Sequence, residues 1–237
     1  CKEMKFRALP FVFSTAAALL FCSYIIHETS APKSGNPEGD SLAKDKVLMS
    51  VLMESLQSSH FDPKKIDDEF SKGAFKLYLE RVDFSKRFLL KQDVEALRAY
   101  ETKIDDQINS SDFTFFELSY KILQDRLKDA QTYYREVLAE PFDFTIDEEV
   151  ELDEEKRDFA ATREELKDYW RRLLKYQALT RITEMQEKQE KAQVDSDTVK
   201  AFSFEELEVK SREKLLKSND RFFERMSKWE REDQKEV

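Results

Sequence analysis

Glycine is nearly absent: Gly35, Gly39 and Gly73 are the only three in 237 residues, beside five prolines. Rossmann crossovers, PDZ domains, nucleophile elbows and phosphate loops place Gly where the backbone takes positive φ or closely approaches a ligand, so none of these is expected in this chain. Histidine is as scarce. His60 is the only one after the amino-terminal apolar run, which leaves a histidine-based metal site or triad without partners and favours packing or capping beside Phe61. Cysteine stops at Cys22, so an exported body, although permitted disulfides, must be held by packing. No basic run lies beyond the amino end. With 40 basic and 50 acidic residues the net charge is -10, which excludes nucleic-acid binding by bulk electrostatics.

What is present starts with a leader pattern. Cys1 stands where an initiator methionine is expected, and Met4 reads as the start. Lys5 and Arg7 form a basic n-region before an apolar run, Ala8 to Ile26, broken only by Pro10, Ser14, Thr15 and Ser23. Three alternatives stay open: a cleaved export signal, an uncleaved anchor, since about 19 residues suffice to cross a bilayer, and a lipoprotein signal around Leu19-Leu20-Phe21-Cys22. Phe21 fits the last poorly, because that position wants a small residue. Thr29-Ser30-Ala31 offers small residues for cleavage, with Pro32 unhelpful just after them. Residues 1–31 are therefore expected to be a signal peptide or membrane anchor. Residues 32–41, PKSGNPEGDS, hold two prolines and two glycines and read as a linker. The expected location is exported, periplasmic or inner-membrane anchored facing the periplasm, with membrane contact only through the amino-terminal segment.

Residues 42–237 are helix-patterned almost throughout. Leu42, Val47, Leu48, Val51, Leu52 and Leu56 recur at helical spacing, and this first helix should end before His60. Asp62-Pro63 supplies an N-cap and a first-turn proline for a second helix, carrying Ile66, Phe70, Ala74, Leu77 and Tyr78 and running to about Val82. After Asp83-Phe84-Ser85, the residues Phe88, Leu89, Leu90, Val94, Leu97, Ile104 and Ile108 predict a third helix ending near Asn109-Ser110-Ser111. Asp112 can cap the next. Along it Phe116, Tyr120, Leu123, Leu127, Ala130, Tyr134 and Val137 form a heptad-like seam suited to antiparallel packing. Pro141 should stop that helix near Glu140.

Between Pro141 and Thr162 the period changes. Phe142, Phe144 and Ile146, then Val150 and Leu152, alternate with acidic or polar residues, which predicts a two-stranded ribbon or a pair of extended arms. Thr162 with Glu165 is a capping box before the stripe Leu166, Tyr169, Trp170, Leu173 and Tyr176, continued by Leu179, Ile182 and Met185. Ser203 with Glu206 is a second box, opening a last helix through Leu207, Leu215, Leu216, Phe222, Phe223, Met226 and Trp229. The helical pattern still runs at Val237 without a cap, which reads as a truncated sequence. The expected fold is mainly α: a multi-helix array of amphipathic helices with a short extended or β-hairpin insertion near residues 142–153.

No catalytic, cofactor-binding or metal-binding residue emerges. The acidic cluster Asp147, Glu148, Glu149, Glu151, Asp153, Glu154 and Glu155 lacks the spacing of a calcium loop and reads as a solvated, charge-blunted edge. Ser55, Ser58, Ser59, Ser71 and Ser85 have no base at a meaningful spacing. The aromatic stripes, drawn from 19 Phe and 8 Tyr, fit a core, with some surplus left to face another domain.

Three runs carry a resemblance. Ser58 to Val94 shows an aromatic after His, a D-x-x-F-S segment, a Y-L-x-x-x-D element and a Phe-Leu pair leading into Asp93-Val94. Glu140 to Lys156 contains a P-x-D-F segment. Glu165 to Leu179 places Leu166, Trp170, Lys175 and Leu179 in the register of an L-x-x-x-W-x-x-x-x-K-x-x-x-L helix. In this order the runs resemble the N-terminal helical region of tail-specific, or C-terminal processing, serine proteases of the bacterial envelope, over about residues 41 to 235. The resemblance implies a helical region joined to its own PDZ and protease domains, with protein substrates read by their carboxyl ends, a possible adaptor, and a Ser/Lys dyad lying beyond Val237. It implies no cofactor. A stand-alone helical envelope scaffold that binds partner proteins without catalysis is the alternative.

Overall fold

A computed structural model describes residues 37–59, 65–195 and 201–227. The chain divides into two compact units, Cys1–Leu48 and Met49–Val237. Among the described residues there are seven helices: α1 (Pro37–Ser59), α2 (Asp68–Asp83), α3 (Lys91–Arg98), α4 (Ile104–Ser110), α5 (Thr114–Ala139), α6 (Arg163–Asp195) and α7 (Phe204–Ser227). The leader pattern Ala8–Ile26 and His60 lie outside the described residues. No described helix is long and apolar enough to cross a membrane.

The described part of the first unit is the opening of α1, where Val47 and Leu48 are exposed. In the second unit the rest of α1 likewise leaves Val51 and Leu52 exposed. The helical spacing expected there is present, with Val47, Leu48, Val51 and Leu52 of its apolar stripe exposed.

In the second unit, α5, α6 and α7 form a three-helix bundle. Its core joins Leu123, Leu127, Ala130, Tyr134 and Leu138 of α5 to Leu166, Trp170, Leu174 and Ala178 of α6 and to Leu215 and Phe223 of α7. Of the heptad seam of α5, Leu123, Leu127, Ala130 and Tyr134 are buried, while Phe116, Tyr120 and Val137 are half-buried. Tyr134 and Phe223 stack with ring centroids 5.0 Å apart. Antiparallel packing holds for α5 with α7, since Tyr134 bonds Asp220 (2.6 Å) while Arg212 reaches Leu138 (3.1 Å). With α6 it does not: Asp129 meets Arg163 and Glu136 meets Lys167, so those two helices run parallel. A parallel neighbour needs a crossover back along the helix, and because Arg163 opens α6 beside Asp129, ten residues before α5 ends at Ala139, that return is about 15 Å. The stretch 140–162 is that crossover.

This explains the change of period after Pro141. Residues 142–153 make no ladder with each other, and the one isolated bridge among the described residues is a parallel one, Leu90 to Ala160. The hairpin alternative is therefore not formed. Instead of pairing with itself, the arm bonds side chains of α7 and α6 through its backbone at Phe142, Ile146 and Glu149.

A smaller cluster packs Phe75 of α2, Leu97 of α3 and Phe115 of α5 with Tyr78, Tyr100 and Ile104 around them. Here the boundaries differ from expectation. The single third helix is two, broken at residues 99–103, because Tyr100 turns in against Phe115 (centroids 6.0 Å apart) and the Ser71 hydroxyl fixes the start of α4 by accepting the Asp105 N–H (2.9 Å). Helix α2 begins at Asp68, capped by Asp67, whose carboxylate accepts from the amides of Glu69 and Phe70. Asp62 and Pro63, expected to start it, lie outside the described residues. Both capping boxes form as expected. Glu165 N–H donates to Thr162 Oγ1 and Glu206 N–H to Ser203 Oγ, while each glutamate reaches back to an amide before its helix. Asp112 accepts from the Thr114 amide (3.0 Å) at the start of α5.

Candidate docking surface

The crossover arm is held at three places. At its start the Phe142 amide donates to Glu208 (3.2 Å), a buried carboxylate that also takes Arg212 Nε (2.7 Å). Arg212 in turn donates to the carbonyls of Leu138 and Ala139, filling the open acceptors at the α5 carboxyl end. Phe144 stands edge-on to Phe204 at 5.5 Å.

Midway, Lys175 of α6 donates to the Ile146 carbonyl (2.8 Å) and to Glu148 (2.6 Å), and Arg171 grips the same carboxylate with two nitrogens. Hydrogen bonds from Arg171 and then Lys175 pull the Glu148 carboxyl down to about 2. Arg172 donates to the Glu149 carbonyl (2.8 Å).

At its end the arm clasps the loop between α2 and α3. Arg157 donates to the carbonyls of Ser85 (2.9 Å) and Lys86 (2.8 Å), and its guanidinium lies 3.3 Å from the Tyr169 ring centroid. Lys86, which takes φ 48° where the chain reverses, sends its ammonium to the carbonyls of Glu154 and Arg157. The Lys91 amide donates to Ala160 (2.9 Å), and Trp170 Nε1 to the Arg87 carbonyl (2.9 Å). Inside the loop, Asp83 accepts the amides of Arg87, Phe88 and Leu89. Burial nonetheless raises its carboxyl to about 6, against the downward pull of those amides.

With its polar groups tied inward, the arm turns apolar side chains outward. Ile146 is 54%, Leu152 43%, Tyr176 45% and Leu179 44% exposed, and with Phe144 and Val150 they line one groove of about 510 Å³. Asp147 and Glu149 stand on its rim. The groove sets large apolar side chains beside charged ones, while Asp147, Glu149, Glu151 and Glu155 of the acidic run are exposed to solvent. Tyr176 and Leu179, expected as a continuation of the α6 core stripe, belong to this groove instead. Ile146 and Leu152, which alternate with acidic or polar residues in the sequence, face outward.

Three of the serines singled out in the sequence have structural partners. Ser71 donates to Asp105 (2.6 Å), Ser85 accepts from Arg87 Nε (2.7 Å), and Ser58 donates to the Glu54 carbonyl (2.7 Å). Among the described residues no group of three His, Cys, Asp or Glu side chains is placed to hold a metal ion. Glu148, buried in the acidic run by sequence reading, stands out only through two cations more than twenty residues away, a relation no local pattern displays.

Two comparisons bear on the chain. A family model described as "Tail specific protease N-terminal domain" matches residues 52–237. A tail-specific protease of Haemophilus influenzae is similar, with 30% identity over 116 residues. That match takes in 48% of this chain and 17% of the relative, so the chain spans about one sixth of that protein's length.

Proposed function

Since this chain belongs to the family of tail-specific protease N-terminal domains, we propose that it is the helical domain of a periplasmic C-terminal processing serine endopeptidase. In this reading the catalytic Ser/Lys dyad and the PDZ domain lie in sequence beyond Val237, the enzyme degrades or processes envelope proteins chosen by their carboxyl ends, and residues 1–31 serve export. The domain scaffolds the protease and meets substrate or an adaptor. One observation carries the positional role: the groove of Phe144, Ile146, Leu152, Tyr176 and Leu179, built on an arm pinned at three places and left uncovered. A rigid support with an open apolar face suits a domain that holds something else in place.

The test is the reading frame after codon 237 together with an assay of its product. A frame that continues through a glycine-rich PDZ segment to a serine and a lysine, and whose product cleaves a reporter in a way that depends on the reporter's carboxyl end, supports the reading. A stop codon directly after Val237 in the gene rejects it and leaves the non-catalytic envelope scaffold.

A further inference from the structure

Ile146 and Leu152 of the crossover arm and Tyr176 and Leu179 of α6 leave large apolar surface open in one groove. At about 510 Å³ it is of the size that takes a ligand or several side chains of a partner. Phe204, also exposed, continues that surface beyond Phe144, whose ring it meets edge-on at 5.5 Å.

The charge around the groove decides what can cover it. From Asp143 to Glu155 the arm carries eight carboxylates and no basic residue. Two cations line the groove, and both are committed inward: Lys175 to the Ile146 carbonyl and Glu148, Arg172 to the Glu149 carbonyl and Asp168. Arg171 is engaged by Glu148 and Asp168, and Lys156 by Asp153. Even with these four cations set against it, the arm stays acidic. Asp147 and Glu149 line the groove as exposed residues, with no cation at ion-pair distance among the described residues. Such a rim repels an anionic membrane surface and a nucleic acid. It also repels a second copy of itself, which brings the same carboxylates on a chain of net charge -10. The surface that complements it is a protein segment with large apolar side chains for the groove and cations for the rim.

We propose that the groove docks a segment of a partner protein in which Lys or Arg residues flank large apolar side chains. The apolar side chains settle between Ile146 and Leu152 on one side and Tyr176 and Leu179 on the other, and the cations meet Asp147 and Glu149. Lys175 and Arg172 grip the arm's carbonyls from α6, so the rim carboxylates are held in place before the partner arrives. The inference rests on the reading that this groove holds something in place, and adds the chemistry of what is held.

The experiment is fluorescence anisotropy with the full 237-residue chain and a labelled ten-residue peptide of alternating Leu and Lys, acetylated and amidated. Saturable binding is expected, weaker by about tenfold or more for the matched Ser-Lys and Leu-Glu peptides. Leu179→Ser should weaken it about tenfold by removing apolar area, and Glu149→Lys about fivefold as a rim charge changes sign. Glu213→Lys makes the same charge change on the exposed surface of α7 outside the groove and should leave binding within about twofold. Equal binding of the Leu-Lys and Ser-Lys peptides would reduce the effect to bulk charge, and equal binding of the Leu-Lys and Leu-Glu peptides would remove the rim from it. Either overturns the proposal, as does indifference to Leu179→Ser and Glu149→Lys, or no binding at millimolar peptide. Sedimentation showing a dimer of the chain that Leu179→Ser breaks would give the groove to a second copy and overturn it too. If the proposal fails while the reading frame still continues into a protease, the family role stands and the groove faces another part of the same protein.

Discussion

Lys175 donates from α6 to the carbonyl of Ile146 at 2.8 Å, and with the same ammonium to Glu148 at 2.6 Å, so one buried cation fixes both backbone and side chain of the crossover arm. Lys175→Met keeps the apolar stem and removes the charge. It leaves a carbonyl and a carboxylate without their donor and is expected to lower stability by about 1–3 kcal/mol. The arm should loosen before the bundle does. Limited proteolysis should cut between residues 145 and 155 faster than in the parent chain, while far-UV circular dichroism stays the same. Unchanged cleavage would mean that the contacts at Phe142 and Arg157 hold the arm without Lys175.

Glu148 provides a pH test. Its carboxyl titrates at about 2 in the folded chain, below the ordinary 4.5, so its stabilising effect is complete above about 4.5 and is lost as pH falls from there toward 2. Asp83 works in the opposite sense. Its carboxyl is raised from 3.8 to about 6, so its ionisation weakens the fold as pH rises across that interval. Melting curves of the parent and of Glu148→Gln should run parallel above about pH 5, the variant lower, and converge near pH 2–3. A gap that persists at the acid end would show that the contribution of Glu148 is not ionic.

Much of this was legible in the sequence, and the reason is local chemistry. The capping boxes Thr162/Glu165 and Ser203/Glu206 need only residues three apart, and both form. The seam through Leu123, Leu127, Ala130 and Tyr134 needs only the helical period. Several residues that carry the family resemblance are hydrogen-bonding pins: Asp67 caps α2, Tyr78 donates to Ser119, Asp83 gathers three amides, Asp93 receives Arg126, and Trp170 holds the Arg87 carbonyl. The misses are non-local. Whether an alternating segment pairs with itself or lies along a helix is decided by the partner, and the parallel order of α5 and α6 required a crossover where a hairpin fits the same pattern. The groove on Ile146, Leu152, Tyr176 and Leu179 was hidden for the same reason, because spacing places a residue on a face without saying whether anything covers it.

Asp83 is expected to be costly to remove even though its burial is unfavourable for the charge. Its carboxylate accepts three amides of the loop that leads into α3, two of them from buried residues. Asp83→Ala leaves those donors without a partner, at roughly 1–3 kcal/mol for each that water cannot reach, so a loss of about 3–5 kcal/mol is expected. Urea denaturation followed by tryptophan fluorescence is a suitable measurement, since Trp170 bonds this loop. A loss under about 1 kcal/mol would mean that the loop reorganises to satisfy its own amides.

Arg126 and Asp93 form a buried bidentate pair, with Nε and Nη2 at 2.6 and 2.9 Å from the two carboxylate oxygens. Asp93 also accepts the Leu90 amide and Arg126 also holds Asp129, so the pair ties the start of α3 to α5. Arg126→Met should cost about 3–5 kcal/mol by leaving the carboxylate uncompensated. Adding Asp93→Asn should recover part of it, since a neutral amide oxygen can still accept from Leu90. No recovery in the double variant would place the cost in packing rather than charge.

Calcium provides the last check, on the acidic run from Asp147 to Glu155. Glu148 is committed to Arg171 and Lys175, Asp153 is paired with Lys156, and the carboxylates of Glu151 and Asp153 accept amides of their own turn. An ion would have to break these contacts and gather carboxylates strung along an extended arm, where neighbouring side chains point to opposite sides. The melting temperature of the chain should therefore be the same in millimolar calcium and in chelator. A rise of several degrees would show that the arm can fold around a cation, and would make residues 147–155 a binding loop in place of a strap.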